Sequence, residues 1–230
     1  MAITELLERN ATLYGSETAL VEINPDVKEV RRTTWKEYDL IVSGYSEDYR
    51  REITWGVFNE KANRCANLLL DRGINRGNKV AILMTNSLEW LPVYFGILKT
   101  GAIVVPMNYR YTAEEIRYCL DLADVDALFF GPEFIGRMEE ICDSIPRVKL
   151  LFFMGESCPQ FAESFHLHAA NYSSTNPSIG IVDDDYAAIY FSSGTTGFPK
   201  AILHDHRALM HSCKVEQNHH GQTHDDVFLC

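Results

Sequence analysis

An α/β fold, a parallel sheet with helices on both faces, is what this sequence predicts, and three observations predict it. Short continuous apolar runs recur at 80–84 (VAILM), 103–107 (IVVPM), 127–130 (ALFF) and 148–154 (VKLLFFM). Stretches with helical spacing of apolar residues separate them. Several of those stretches open on residues that cap helices. Strands that are apolar throughout, not alternating, are strands buried on both faces, and short strands alternating with helices build parallel sheets.

The elements follow in chain order. Residues 1–10 (MAITELLERN) read as a short amphipathic helix, because acids and an arginine stand where a signal peptide needs a basic start and an apolar run. Ile53 and Thr54 end a strand, and Thr54 is placed to cap a helix with Trp55, Phe58, Ala62, Cys65, Ala66 and Leu69 on one face, stopped at Gly73. Those aromatics, with Trp90, read as core rather than as a substrate pocket. Asn86 and Glu89 have capping-box spacing before the next helix, and Thr112 and Glu115 have it before a helix that runs to about Leu122. The long apolar stretch 88–107 carries Glu89, Lys99, two glycines and two prolines, and it divides at Thr100–Gly101 into a helix and a strand rather than a membrane span. A helix is expected near 134–143, and 156–183 is polar enough for a surface connection. The run 186–191 (YAAIYF) restarts the strand pattern and is expected to open a second sheet. The chain is therefore divided into a first α/β subdomain, 1–184, and the start of a second, 185–230.

Composition narrows the partners. In 230 residues, 21 Lys and Arg against 32 Asp and Glu give a net charge of -11, which disfavours nucleic acid or an anionic membrane surface and favours a small-molecule partner. The 46% hydrophobic content is enough to fill a core. Cysteines at 65, 119, 142, 158, 213 and 230 form no C-x-x-C pair and point to reduced thiols and a cytoplasmic protein. A homo-oligomer is left open.

The densest chemistry lies at 189–204 (IYFSSGTTGFPKAILH). A glycine-rich turn after a strand lets successive backbone N–H groups point into one concavity, and hydroxyls with a lysine complete an anion cradle. The spacing is neither that of a Walker A loop nor G-x-G-x-x-G. On the residues alone, a Gly/Ser/Thr surface turn with a solvated lysine is at least as good a reading.

Six of the eight histidines lie between 204 and 224, and His204 with His211 could share a helix face as metal ligands. Without C-x-x-C or H-E-x-x-H spacing, helix caps and solvated loop residues are the preferred reading, with His206 structural at a helix start. Asp183, Asp184 and Asp185 read likewise as solvated acids before a strand rather than metal ligands.

The segment SSGTTGFPK resembles the phosphate-binding signature of the adenylate-forming, or AMP-binding, superfamily, in which acyl-CoA synthetases and aryl-CoA ligases fall. The blocks ITWGVFNEKANRCANLL, GNKVAILMTNSLEW and GILKTGAIVVPMNYRYTAEEIRYCL are similar to that superfamily's in the same order, and VPMNYRYTAEEI looks most like its fatty-acyl and aryl-CoA ligases. The resemblance implies ATP-dependent activation of a carboxylic acid as an acyl adenylate, then transfer to coenzyme A. It assigns phosphate binding to Ser192, Ser193, Gly194, Thr195, Thr196, Gly197 and Lys200, with Mg²⁺ near one hydroxyl and the metal ligands otherwise unknown. The superfamily commonly has glycine where this chain has Ala201. The segments it places after the phosphate loop are not found in these residues, among them an adenine-packing block, a ribose aspartate and a distal lysine. The sequence therefore reads as the amino-terminal portion of a ligase, inactive by itself. A non-catalytic nucleotide-binding or interaction module is the alternative.

Overall fold

The computed structural model describes residues 1–23, 31–35, 38–42, 50–192 and 199–228. Helix α1 (Thr4–Leu13) leads into strand β1 (Thr18–Ile23), which pairs antiparallel with β4 (Arg50–Thr54); β2 (Arg31–Trp35) and β3 (Tyr38–Val42) form a separate hairpin. Then come α2 (Trp55–Asp71), β5 (Lys79–Leu83), α3 (Trp90–Lys99), β6 (Ile103–Pro106), α4 (Ala113–Leu122), β7 (Ala127–Phe130), α5 (Ile135–Ile141) and β8 (Leu150–Phe153). The two-residue strand β9 (Glu163–Ser164), α6 (Phe165–Ala169), β10 (Tyr186–Ser192), β11 (Lys200–Asp205) and α7 (His206–His220) complete the order.

One sheet organises the molecule, in the order β11-β10-β6-β5-β7-β8-β9. Every neighbouring pair is parallel except the β10–β11 hairpin. Because side chains alternate across a strand, Val80, Ile82, Val104, Phe129 and Phe152 pack on one face against Cys65, Leu68 and Leu69 of α2, Val93, Tyr94 and Ile97 of α3 and Phe165 of α6. Ala81, Leu83, Val105, Leu128 and Phe130 pack on the other against Ile116 and Leu120 of α4 and Met138 and Ile141 of α5. The covered parallel sheet read from the apolar runs is present. The helices on its first face touch closely. A Cβ placed on Gly96 of α3 would lie 2.6 Å from Cys65 Cβ and 3.0 Å from Ala62 O of α2.

Local signals decide several boundaries. Thr54 caps α2 by accepting a hydrogen bond from Val57 N, and Thr112 with Glu115 forms a reciprocal capping box on α4. Helix α7 ends at Gly221 in the left-handed conformation (φ 65°), the usual glycine stop.

Three expectations are corrected. The run 186–191 does not open a second sheet: β10 lies parallel to β6, with Ala188 opposite Val104, and extends the first one. Asn86 and Glu89 form no capping box. Glu89 is itself the residue before α3, with helical backbone and no side-chain cap, and its carboxylate is paired with Lys61 of α2. Finally, 156–183 is more than a surface connection, because Phe165 and Ala169 of α6 are buried in the first-face core.

Candidate phosphate-binding site

Parallel α/β sheets hold ligands beyond the carboxyl ends of their strands, most often where neighbouring connections leave for opposite faces. Here β5 leads to α3 on the first face, while its neighbours β6 and β7 lead to α4 and α5 on the second, so such points flank β5 on both sides. On the β7 side stands the exposed Glu133. One oxygen of that carboxylate accepts from Thr85 N (3.0 Å) and Thr85 Oγ1 (2.6 Å), and the other stands where a Cβ on Gly131 would come within 2.6 Å.

The β10–β11 hairpin supplies the other place. Because β10 runs parallel to β6, its carboxyl end at Ser192 lies on the edge where β5, β6 and β7 end. Ser192 is in register with Lys200, and both are exposed. The hairpin thus brings together at its mouth two of the seven residues assigned to phosphate binding, an hydroxyl and a cation. Ser193, Gly194, Thr195, Thr196 and Gly197 lie outside the described residues. Pro199 is buried, and Ala201 stands exposed opposite Phe191, so its methyl leaves the Ser192–Lys200 pair unobstructed.

What anchors this hairpin was not legible in the sequence. Tyr190, two residues before Ser192, meets Tyr94 of α3 through a 2.8 Å hydroxyl–hydroxyl hydrogen bond, and its ring packs edge-on against His204 at 5.6 Å. Trp90 stacks on Tyr94 at 5.4 Å. Burial, reinforced by the neighbouring phenol, pushes the Tyr94 hydroxyl far above the usual tyrosine range and keeps it neutral. In sequence Tyr190 is one more apolar strand residue, and only its contact with a helix some ninety positions earlier reveals its second role.

The remaining candidates sort clearly. His204 is on β11 and His211 on α7, so they do not share a helix face. Among the described residues no group of three His, Cys, Asp or Glu side chains is arranged to hold a metal. Asp183, Asp184 and Asp185 lie before the amino end of β10, away from the loop, and are ion-paired instead of merely solvated. Asp183 and Asp184 meet Arg207, and Asp185 meets Arg76. Phe58 is buried, stacked on Trp55 and edge-on to Phe95, as a core aromatic.

A mostly parallel sheet covered by helices on both faces, with Ser192 and Lys200 in register at its carboxyl edge, defines an α/β protein. The chain belongs to the AMP-binding enzyme family, whose model matches residues 7–230. It is 29% identical over 172 residues to the 3-hydroxybenzoate–CoA/4-hydroxybenzoate–CoA ligase of Thauera aromatica, covering 74% of this chain and 33% of that protein. It is 30% identical over 158 residues to the long-chain-fatty-acid–CoA ligase FadD13 of Mycobacterium tuberculosis, covering 68% and 30%. Among solved structures it is similar to the anthranilate CoA ligase AuaEII in complex with anthranoyl-AMP, with 27% identity, TM-score 0.78 and coverage of 93% and 36%. A long-chain-fatty-acid-CoA ligase from Archaeoglobus fulgidus, 17% identical, shares the fold with TM-score 0.79 over 98% of this chain and 41% of that one. The chain spans about a third of the length of the curated relatives it matches. Among the described residues no helix is long and apolar enough to cross a membrane.

Proposed function

We propose that this chain is the amino-terminal part of an ATP-dependent acyl-CoA ligase that activates a fatty or aromatic carboxylic acid. The observation that carries the reading is the β10–β11 hairpin, with Ser192 and Lys200 in register at the carboxyl edge of the sheet in a chain of this family. Its relatives are named as ligases of both acid classes.

In the first step a carboxylate oxygen of the acid attacks the α-phosphorus of ATP, the bond to the β-phosphate oxygen breaks, and pyrophosphate leaves. In the second, the thiol of coenzyme A attacks the acyl carbon, loses its proton, and AMP leaves. Ser192, Ser193, Thr195 and Thr196 offer hydroxyls to the phosphates, and Gly194 and Gly197 let the backbone approach them. Lys200 offsets charge on the departing pyrophosphate. Mg²⁺ bound with the nucleotide would offset phosphate charge, and one of these hydroxyls would be placed to approach it. We assign the loop segment from residue 185 to a second subdomain by function, although β10 shares the first sheet. The free thiols at Cys65, Cys119, Cys142, Cys158 and Cys213 support a reducing compartment, and we propose the cytoplasm.

The test is calorimetry with Mg-ATP and a thioester assay, run on the 230-residue chain and on a longer gene product that contains it. The expected result is weak or no ATP binding and no turnover for the chain alone, with thioester formation by the longer product. Micromolar affinity with turnover in the chain alone would overturn the reading of it as a part. A longer product that binds nucleotide and forms no thioester would instead favour a non-catalytic nucleotide-binding module.

A further inference from the structure

The far end of the same hairpin, roughly 20 Å from its mouth at about 3.3 Å per strand residue, is built around a buried histidine. His206 is the first residue of α7 and is fully buried. Its backbone N donates to Asp185 O (3.0 Å). Its ring Nδ1 accepts from Ile3 N (3.4 Å), while Nε2 is buried with no partner among the described residues. The amino-terminal segment that it meets is embedded: Ala2 and Thr4 are buried, Glu5 accepts from Ala2 N (2.8 Å), and the Met1 amine lies 3.5 Å from Asp183.

An imidazole that accepts at Nδ1 carries its single proton on Nε2. A second proton would end the bond from Ile3, leave the Ile3 N–H and the new Nδ1–H without acceptors beside the already unpartnered Nε2–H, and place a cation at the amino end of a helix, where the dipole is already positive. The carboxylates that could offset it are engaged. Asp205 caps α7 by accepting from Ala208 N (2.6 Å), and Asp185 accepts from Val182 N (2.9 Å) and is paired with Arg76. We propose that His206 is a pH-gated pin: neutral, it holds the segment Met1–Thr4 on the base of the β10–β11 hairpin, and protonated, it releases that segment.

The charges facing the ring act in both directions. Burial is the largest influence and disfavours the imidazolium; Asp185 and Asp205 favour it, and Arg76 and the Met1 amine oppose it. The balance holds the ring below the usual histidine range. A histidine released from its docked site therefore takes up a proton below about pH 6.5 that the docked one refuses. Docking is at full strength above that pH and weakens as the pH falls through the interval beneath it.

Native-state hydrogen exchange on the full chain from pH 8 to 5, corrected for intrinsic rates and read at the amides of residues 3–6, tests this. The expected result is a constant opening equilibrium down to about pH 6.5 and then a rise approaching tenfold per pH unit, the slope of one linked proton. His206→Asn keeps an amide oxygen near the Nδ1 position and takes up no proton; it should abolish the rise. A flat profile in the wild-type chain, or the same slope in His206→Asn, overturns the proposal. Should His206→Asn not fold, the wild-type ring resonances decide. A His206 ring that titrates in the ordinary range while the Ile3 amide stays protected also overturns it.

Discussion

Strands β7 (Ala-Leu-Phe-Phe) and β11 (Lys-Ala-Ile-Leu-His-Asp) belong to one sheet and each carries consecutive apolar residues, yet their surroundings are opposite. All four residues of β7 are buried between β5 and β8, with α3 and α6 over one face and α4 and α5 over the other. Residues 200–203 of β11 are all exposed, and among the described residues β11 ends the sheet with β10 as its one neighbour; residues 211–220 of the helix that follows are exposed as well. A run of apolar residues specifies a strand, but the elements beside it determine whether that strand contributes to stability. The central strands should therefore open only with the whole fold, and the hairpin that carries the candidate site should open on its own at lower free energy.

The sharpest way to break this contrast is to remove a large side chain from each region. Phe129 is fully buried, stacked on Phe152 at 5.0 Å and edge-on to Phe165 at 5.4 Å. Phe129→Ala should cost about 3–5 kcal/mol in urea unfolding. Leu203→Ser on β11 should stay within about 0.5 kcal/mol. Similar losses at the two positions would show that β11 is covered after all.

A smaller effect separates two helical glycines. Gly96→Ala drives a methyl into Cys65 and the Ala62 carbonyl, and overpacking of that kind costs about 1–3 kcal/mol. Gly136 of α5 is exposed with nothing within 4 Å of an added Cβ, so Gly136→Ala should be stabilising by about 0.4–1 kcal/mol. Thermal melts of the two variants should move in opposite directions.

The smallest expected contrast lies in the caps. Thr112→Ala removes the capping box of a helix packed on the core and should lower global stability by about 0.5–2 kcal/mol. Asp205→Ala removes an equivalent cap from α7, but that helix is mostly exposed. Its effect should appear as faster amide exchange at 207–210 with less change in the global unfolding midpoint. The reverse pattern would place α7 in the cooperative core.

The same contrast explains which features the sequence exposed. Thr112 and Glu115 were legible because both halves of the capping box sit three residues apart and answer to each other. Asn86 and Glu89 have equal spacing and fail, because Lys61, on another helix, claims the Glu89 carboxylate. The central strands announced themselves as apolar runs covered on both sides. The place of β10 did not, since its partner β6 lies more than eighty positions earlier and no local pattern encodes that pairing. At the candidate site, Ser192 and Lys200 were legible from composition and resemblance, whereas the Tyr94–Tyr190 hydrogen bond that ties their hairpin to α3 is a tertiary fact. The Asp183–Asp185 cluster reads as solvated for the same reason: its partners Arg76 and Arg207 lie more than a hundred positions earlier and at the second residue of α7.

The central claim is that the mouth of the β10–β11 hairpin serves the departing pyrophosphate and not the thiol. The most direct measurement introduces Lys200→Ala into the full-length ligase proposed above and assays its half-reactions separately, as pyrophosphate exchange and as coenzyme A capture of preformed acyl adenylate. With a charge-stabilising group removed, exchange should fall on the order of a hundredfold, while thiol capture changes by no more than a few-fold. Equal losses in the two half-reactions, or a loss confined to thiol capture, would contradict the assignment.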